Sequence, residues 1–132
     1  MYPAEYRYSK DHEWIKVDGA TATLGITDYA QQELGDVVFV EVPKVGTAVK
    51  AGQSFGTVES VKAVSEIFSP VTGEITDTNA ALSATPEKIN SDPHGEAWLV
   101  KIRLSDPKEV SSLMDAAAYE AYIAAKAKET SA

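Results

Sequence analysis

The chain has 132 residues, 44% hydrophobic and 24% charged, with a formal net charge of −8 and no cysteine. That length fits one domain with its own core, and the missing cysteines exclude disulfides, thiolate nucleophiles and Cys-ligated metals. The acidic balance argues against nucleic acid, whose phosphates need Lys and Arg, and against an anionic membrane surface.

The opening Met1-Tyr2-Pro3-Ala4-Glu5-Tyr6-Arg7-Tyr8 lacks the basic end and apolar run of a signal peptide, and no run is long enough to cross a bilayer. A soluble, intracellular protein is therefore expected. His12 to Val17 reads as a strand, Asp18-Gly19 as a two-residue hairpin, and Ala20 to Ile26 as the returning strand. Asp28, with Gln31 three residues later, fits a capping box for a short helix that Gly35 ends. Asp36 to Val42 is rich in β-branched and aromatic residues and predicts a strand, closed by Pro43 and Gly46.

Short strands follow, punctuated by Ala51-Gly52, Ser60-Val61-Lys62-Ala63 and Ser69-Pro70-Val71-Thr72-Gly73. Many short strands with frequent turns point to a barrel or sandwich. Asn79 to Pro93 is polar and reads as irregular, and Glu96 to Leu104 as the last strand. Asp106-Pro107-Lys108-Glu109 combines a cap, a proline in the first turn and a glutamate three after the cap, so a short helix is expected to about Met114. Asp115 then opens an alanine-rich helix with Tyr119, Tyr122 and Ile123 on one face, and Lys126 and Lys128 near its end suit the helix dipole. The expected organisation is one domain over residues 1–132, with a core over about 11–104 and a helical tail over about 106–128.

No G-x-S-x-G, P-loop, G-x-G-x-x-G or metal-binding cluster is present. Glu33, Glu41, Glu59, Glu66 and Glu74 mostly alternate with apolar residues, the pattern of solvated strand faces rather than of acid–base pairs. Trp14 and Trp98 read as core anchors in strands, and His12 and His94 as structural residues. An enzyme is not expected.

Lys62 is different in its setting. Thr57-Val58-Glu59 and Val64-Ser65-Glu66-Ile67 read as two strands, and Lys62 stands between them in a turn without Gly, Pro, Asn or Asp. Most lysines on turns are simply solvated. A lysine on a hairpin apex is also well displayed for modification: acylation removes its charge and can tether a long arm. Small neighbours, Ser60 and Ala63, would leave access, and Glu59 three residues earlier offers a carboxylate for a modifying enzyme to read.

The motifs around this lysine resemble the glycine cleavage system H protein family. Val58-Glu-Ser-Val-Lys-Ala63 resembles its modification motif, and Ser69-Pro-Val-Thr-Gly-Glu74 follows at the expected distance. Asp11-His-Glu-Trp14, Gly25-Ile-Thr-Asp-Tyr-Ala30, Leu34-Gly-Asp-Val-Val-Phe-Val-Glu41, Asn90-Ser-Asp-Pro93 and Gly95-Glu-Ala-Trp-Leu-Val-Lys-Ile102 complete seven motifs in order along nearly the whole chain.

The resemblance implies a mainly β fold, a barrel-sandwich hybrid of the lipoyl and biotinyl carrier type, with a short helix after the second strand and C-terminal helices. It implies lipoic acid in amide linkage on Lys62, with Glu59, Ser60, Val61 and Ala63 read by the lipoate-attaching enzyme. It implies a non-catalytic carrier that takes an aminomethyl group from glycine decarboxylase (P protein) to the aminomethyltransferase (T protein), and its dithiol to dihydrolipoamide dehydrogenase (L protein). Asp11, Glu13 and Glu66 would line a cleft that shelters the loaded arm, holding its amine by charge-assisted hydrogen bonds. Relatives can carry Ser where Asp11 stands and Asp where Glu66 stands. No metal, nucleic acid or membrane is implied. A monomer suits a shuttle among three enzymes, in the bacterial cytoplasm, or in the mitochondrial matrix for a processed eukaryotic chain. Lipoyl domains of 2-oxoacid dehydrogenases usually show Asp-Lys-Ala with flexible linkers, and biotin carriers Met-Lys-Met; Val61 and Ala63 flank Lys62 here. A lipoyl relay in lipoate metabolism and an unmodified H-like interaction domain are the alternative roles.

Overall fold

A computed structural model describes residues 2–131, with side chains as far as Lys126, so Lys128 lies outside the described side chains. In chain order, β1 (Arg7–Tyr8), β2 (Glu13–Asp18) and β3 (Thr21–Ile26) precede helix α1 (Asp28–Leu34). Then come β4 (Val37–Glu41), β5 (Ala48–Val49), β6 (Ser54–Ser60), β7 (Val64–Phe68) and β8 (Gly73–Thr78). Two single-turn helices, α2 (Ala81–Ala84) and α3 (Lys88–Ser91), lead to β9 (Val100–Leu104), a 3-10 turn (Pro107–Ser112) and α4 (Ala116–Ser131).

The strands form two antiparallel sheets. One has the order β1-β2-β3-β9-β8-β5, the other β4-β6-β7. Period-two alternation sends Ala22, Leu24 and Ile26 of β3, and Val100, Ile102 and Leu104 of β9, into the space between them. There they join Val58 and Ile67 from the smaller sheet in one continuous core. Glu13, Trp14 and Ile15 of β2 are all buried, because a second, aromatic cluster covers the other side of that strand. Tyr119 of α4 stacks on Tyr8 of β1, ring centroids 4.8 Å apart, and Trp14 stacks on Tyr6 at 4.7 Å. The C-terminal helix thus seals the N-terminal strands, and backbone bonds between Tyr8 and Met114 fix the junction.

Several expectations need correction. The first hairpin turns at Gly19-Ala20, one residue later than expected: Asp18 still pairs with Thr21, and Gly19, at φ 64°, takes the left-handed position. Helix α1 is capped by Thr27, whose Oγ1 accepts from the Ala30 amide at 3.2 Å; Asp28 sits one position inside and takes the side-chain amides of Gln31 and Gln32. Thr27 wins because it is fully buried and its hydroxyl is also bound to Tyr119. Residues 79–93 are not wholly irregular, since Leu82 and Ile89 each pin a helical turn onto the core. Trp98 precedes β9 and packs against the aromatic cluster. The Asp106 cap and Pro107 start are as expected, but the segment is a 3-10 turn; Asp115 caps α4, also as expected, through the Ala118 amide at 2.8 Å. Among the described residues no helix is long and apolar enough to cross a membrane.

Candidate functional site

The turn between β6 and β7 is built by Ser60. Its amide donates to the Ala63 carbonyl at 2.8 Å. Its Oγ donates to the same carbonyl and accepts from the amides of Lys62 and Ala63, at 3.3 and 3.1 Å. A side chain therefore does what Gly or Asn does in other tight turns, which is why the turn carries no glycine. The Val61 amide donates to the Asp36 carbonyl at 3.0 Å and ties the tip to the loop after α1. Ser60 is buried, so it is a clamp rather than the open neighbour expected; Glu59, Val61, Lys62 and Ala63 are exposed. Replacing Ser60 with alanine should cost about 1–2 kcal/mol by leaving turn amides unpaired. Amide exchange at Lys62 and Ala63 should accelerate at least tenfold; an unchanged rate would show that the backbone bonds alone hold the turn.

The Lys62 stem leans back over the end of α1. A methyl built on Gly35 would lie 3.6 Å from its Cε, and Gly35, at φ 79°, is the residue that stops the helix through its amide bond to Gln31. Glycine thus serves two ends here: it allows the left-handed stop and leaves a smooth bed for the lysine.

On this side of the molecule lies a cleft of about 320 Å³. Its apolar lining includes Ile26, Ala30, Leu34, Val58 and Ile67, and its polar lining Asp11, His12, Glu13, Glu33 and Glu66. Asp11, Glu13 and Glu66 are brought together, although 55 and 53 residues of chain separate Glu66 from the first two. Ala63 and Val64 of the tip line the same cleft. Four carboxylates and no Lys or Arg line it among the described residues, a field that favours a cation.

The carboxylates are not equivalent. Asp11, Glu33 and Glu66 are exposed, whereas Glu13 is buried. Glu13 Oε1 accepts from Ser9 Oγ at 2.6 Å and Oε2 from the Phe68 amide at 3.1 Å, which links β2 to the end of β7. Burial pushes its pKa up to about 7, against the lowering effect of those two bonds. Three polar lining residues, Ser65, Glu33 and His12, were missed in the sequence. Glu33 is on α1, not on a strand face, and a hydrogen bond to it holds the Tyr29 phenol above its usual range; the i, i+4 spacing of Tyr29 and Glu33 was the available signal. His12 stands at φ 68°, with Nδ1 2.8 Å from Tyr119 Oη, and burial lowers its pKa. Nothing in a single histidine before a strand announces that placement. Among the described residues no group of three or more His, Asp or Glu could hold a metal ion.

Two small sheets facing each other, with an exposed lysine at one hairpin apex, define a barrel-sandwich hybrid of the carrier type. The family model for the glycine cleavage H-protein matches residues 6–126, and the chain belongs to that family. The glycine cleavage system H protein of Acidobacterium capsulatum is 59% identical over 122 residues, 92% of this chain and 94% of that protein. That of Koribacter versatilis is 55% identical over 126 residues, 96% of this chain and 97% of that protein. The crystal structure of a glycine cleavage system H protein from Mycobacterium marinum superposes with a TM-score of 0.82 at 37% identity, covering 95% of this chain and 98% of that one. The chain is thus similar over nearly its whole length to H proteins of the glycine cleavage system.

Proposed function

We propose that the chain carries lipoate in amide linkage on Lys62. It moves the aminomethyl group of glycine from glycine decarboxylase to the aminomethyltransferase, then presents the dithiol to dihydrolipoamide dehydrogenase. One observation carries this reading above all: Lys62 stands on a serine-clamped apex, its stem bedded on Gly35, beside a cleft lined by four carboxylates. When attached, lipoate supplies a disulfide that accepts the one-carbon unit and is later reoxidised, chemistry that a chain without cysteine lacks.

The chain's own residues do the rest. The clamped apex holds Lys62 away from the sheets for the lipoate-attaching enzyme, with Glu59, Val61 and Ala63 exposed around it and Ser60 fixing the loop. The apolar lining of the cleft, Ile26, Leu34, Val58 and Ile67, excludes water from a hydrocarbon arm. Asp11, Glu13, Glu33 and Glu66 hold a cationic amine there by charge-assisted hydrogen bonds. Tethering makes each encounter effectively intramolecular, at local concentrations on the order of millimolar. The carrier itself catalyses no step and works as a monomer, and its bacterial relatives support a cytoplasmic setting.

Expression with a lipoate ligase in lipoate-fed cells should add one lipoyl group to the intact mass, mapped by peptide digestion to Lys62. Lys50, in the similar sequence Val49-Lys50-Ala51, should stay bare. No added mass would overturn the carrier reading in favour of an unmodified interaction domain.

A further inference from the structure

We propose that the outward face of the β4-β6-β7 sheet beside Lys62 is the docking surface for the enzyme that acylates this lysine. The inference rests on Lys62 being the acylated residue, and it goes further by naming residues on a different strand.

Exposed apolar side chains gather at this end of the small sheet. Val61 is 71% exposed, Val64 65%, Phe39 52% and Val38 48%. Val38 and Phe39 lie far from Val61 and Val64 in sequence, and strand pairing brings the two pairs together. Phe39 of β4 opposes Glu59 of β6, which opposes Val64 of β7. Directly opposed residues of antiparallel strands project from the same face, so Phe39, Glu59 and Val64 form a row: apolar, acidic, apolar. The next row along the same strands is Glu41, Thr57 and Glu66, the last at the sheet edge where it also lines the cleft. The bulge between Val37 and Phe39 leaves Val38 exposed as well. Folding gains nothing from exposing these side chains, and four large apolar side chains gathered on one exposed face mark an interaction site.

The charges specify the partner. The salt bridges among the described residues are Lys88–Glu96 and Arg103–Glu74, so Glu41 and Glu59 enter none. The face is apolar with acidic groups set into it. Its complement is an apolar pocket rimmed by Arg or Lys.

Distance selects among the enzymes that visit the carrier. An enzyme that forms the amide must bring its reaction centre to Nζ itself: Nζ attacks the carbonyl of an activated lipoyl ester, the C–N bond forms, the C–O bond to the activating group breaks, and the amine proton is lost. An enzyme whose reaction centre reaches Nζ must close on the residues around the tip, and the exposed rows of β4, β6 and β7 are among them. Enzymes that act on the sulfurs meet the arm at its far end and can stand off by its whole length.

The test uses the full-length, unmodified carrier, a purified bacterial lipoate–protein ligase, lipoate and ATP. Phe39→Ser and the isosteric Val38→Thr should each raise the ligase KM for the carrier at least tenfold, with kcat within twofold. The Kd of the unmodified carrier for the ligase should rise by the same factor. Glu41→Lys should weaken binding and reduce its salt dependence. Acetylation of Lys62 by a small activated ester should be unchanged, which separates lost docking from lost accessibility, and unaltered thermal midpoints exclude misfolding. Wild-type and variant carriers loaded with equal KM would overturn the proposal, as would an effect confined to the decarboxylase. Failure of the wild type to be loaded at all would instead sink the assignment of Lys62.

Discussion

Lys62→Arg is expected to leave the fold intact and abolish carrier activity. Lys62 is exposed, and the bonds that clamp its turn involve only its backbone amide, so arginine keeps every one of them. Stability should change by less than about 0.5 kcal/mol. The guanidinium keeps the positive charge but stays protonated and is no nucleophile at neutral pH. Intact mass should therefore show no lipoyl group. Glycine cleavage reconstituted with the decarboxylase, aminomethyltransferase and dihydrolipoamide dehydrogenase should fall at least about a thousandfold, because tethering supplies an effective concentration on the order of millimolar that free lipoamide at micromolar levels cannot match. Adding free lipoamide should restore activity only in proportion to its concentration. Retained activity, or a lipoyl group on Lys50, would show that the arm is carried elsewhere.

The strands were legible because their signal is local. Residues 37–41 and 100–104 are β-branched and apolar in runs of strand length, and both formed strands. Gly35 was legible as a stop because few other residues tolerate its backbone angle. The errors came where tertiary contacts chose between local options. Thr27 took the cap from Asp28 in a buried position where Tyr119, 92 residues later, binds its hydroxyl. Leu82 and Ile89 gave a polar stretch two helical turns through contacts with the core. The lysine and its turn were readable in one short stretch. The cleft was not, since Glu13, Glu33 and Glu66 meet only when β2, α1 and β7 are assembled. Seven ordered motifs named the family and, through it, three of the four cleft carboxylates. Glu33 lay outside that reading because it looked like one more solvated glutamate.

Glu13→Gln should separate two roles that one buried carboxylate combines. Glutamine can keep both contacts, with the Ser9 bond reversed: its amide donates to Ser9 Oγ and its carbonyl accepts from the Phe68 amide, so the variant should fold. What disappears is the ability to ionise. Glu13 has a folded pKa of about 7, above its ordinary 4.5. A carboxyl raised in this way favours the folded state fully below the unfolded value, and that contribution is lost as pH rises through the folded value. Between pH 4.5 and 7 the wild type should thus lose on the order of 3 kcal/mol from this group, at about 1.4 kcal/mol per pKa unit. Denaturant midpoints of the variant should show a correspondingly flatter pH profile, and its advantage should be greatest above pH 7. The same substitution removes the one buried carboxyl that can ionise against a cationic amine in the cleft. Asp11, Glu33 and Glu66 remain, but they are exposed and screened by solvent. Ammonia release from the loaded carrier should accelerate at least tenfold. A flattened stability profile with an unchanged release rate would make Glu13 a strand-linking residue alone and leave the amine to the three carboxylates in solvent.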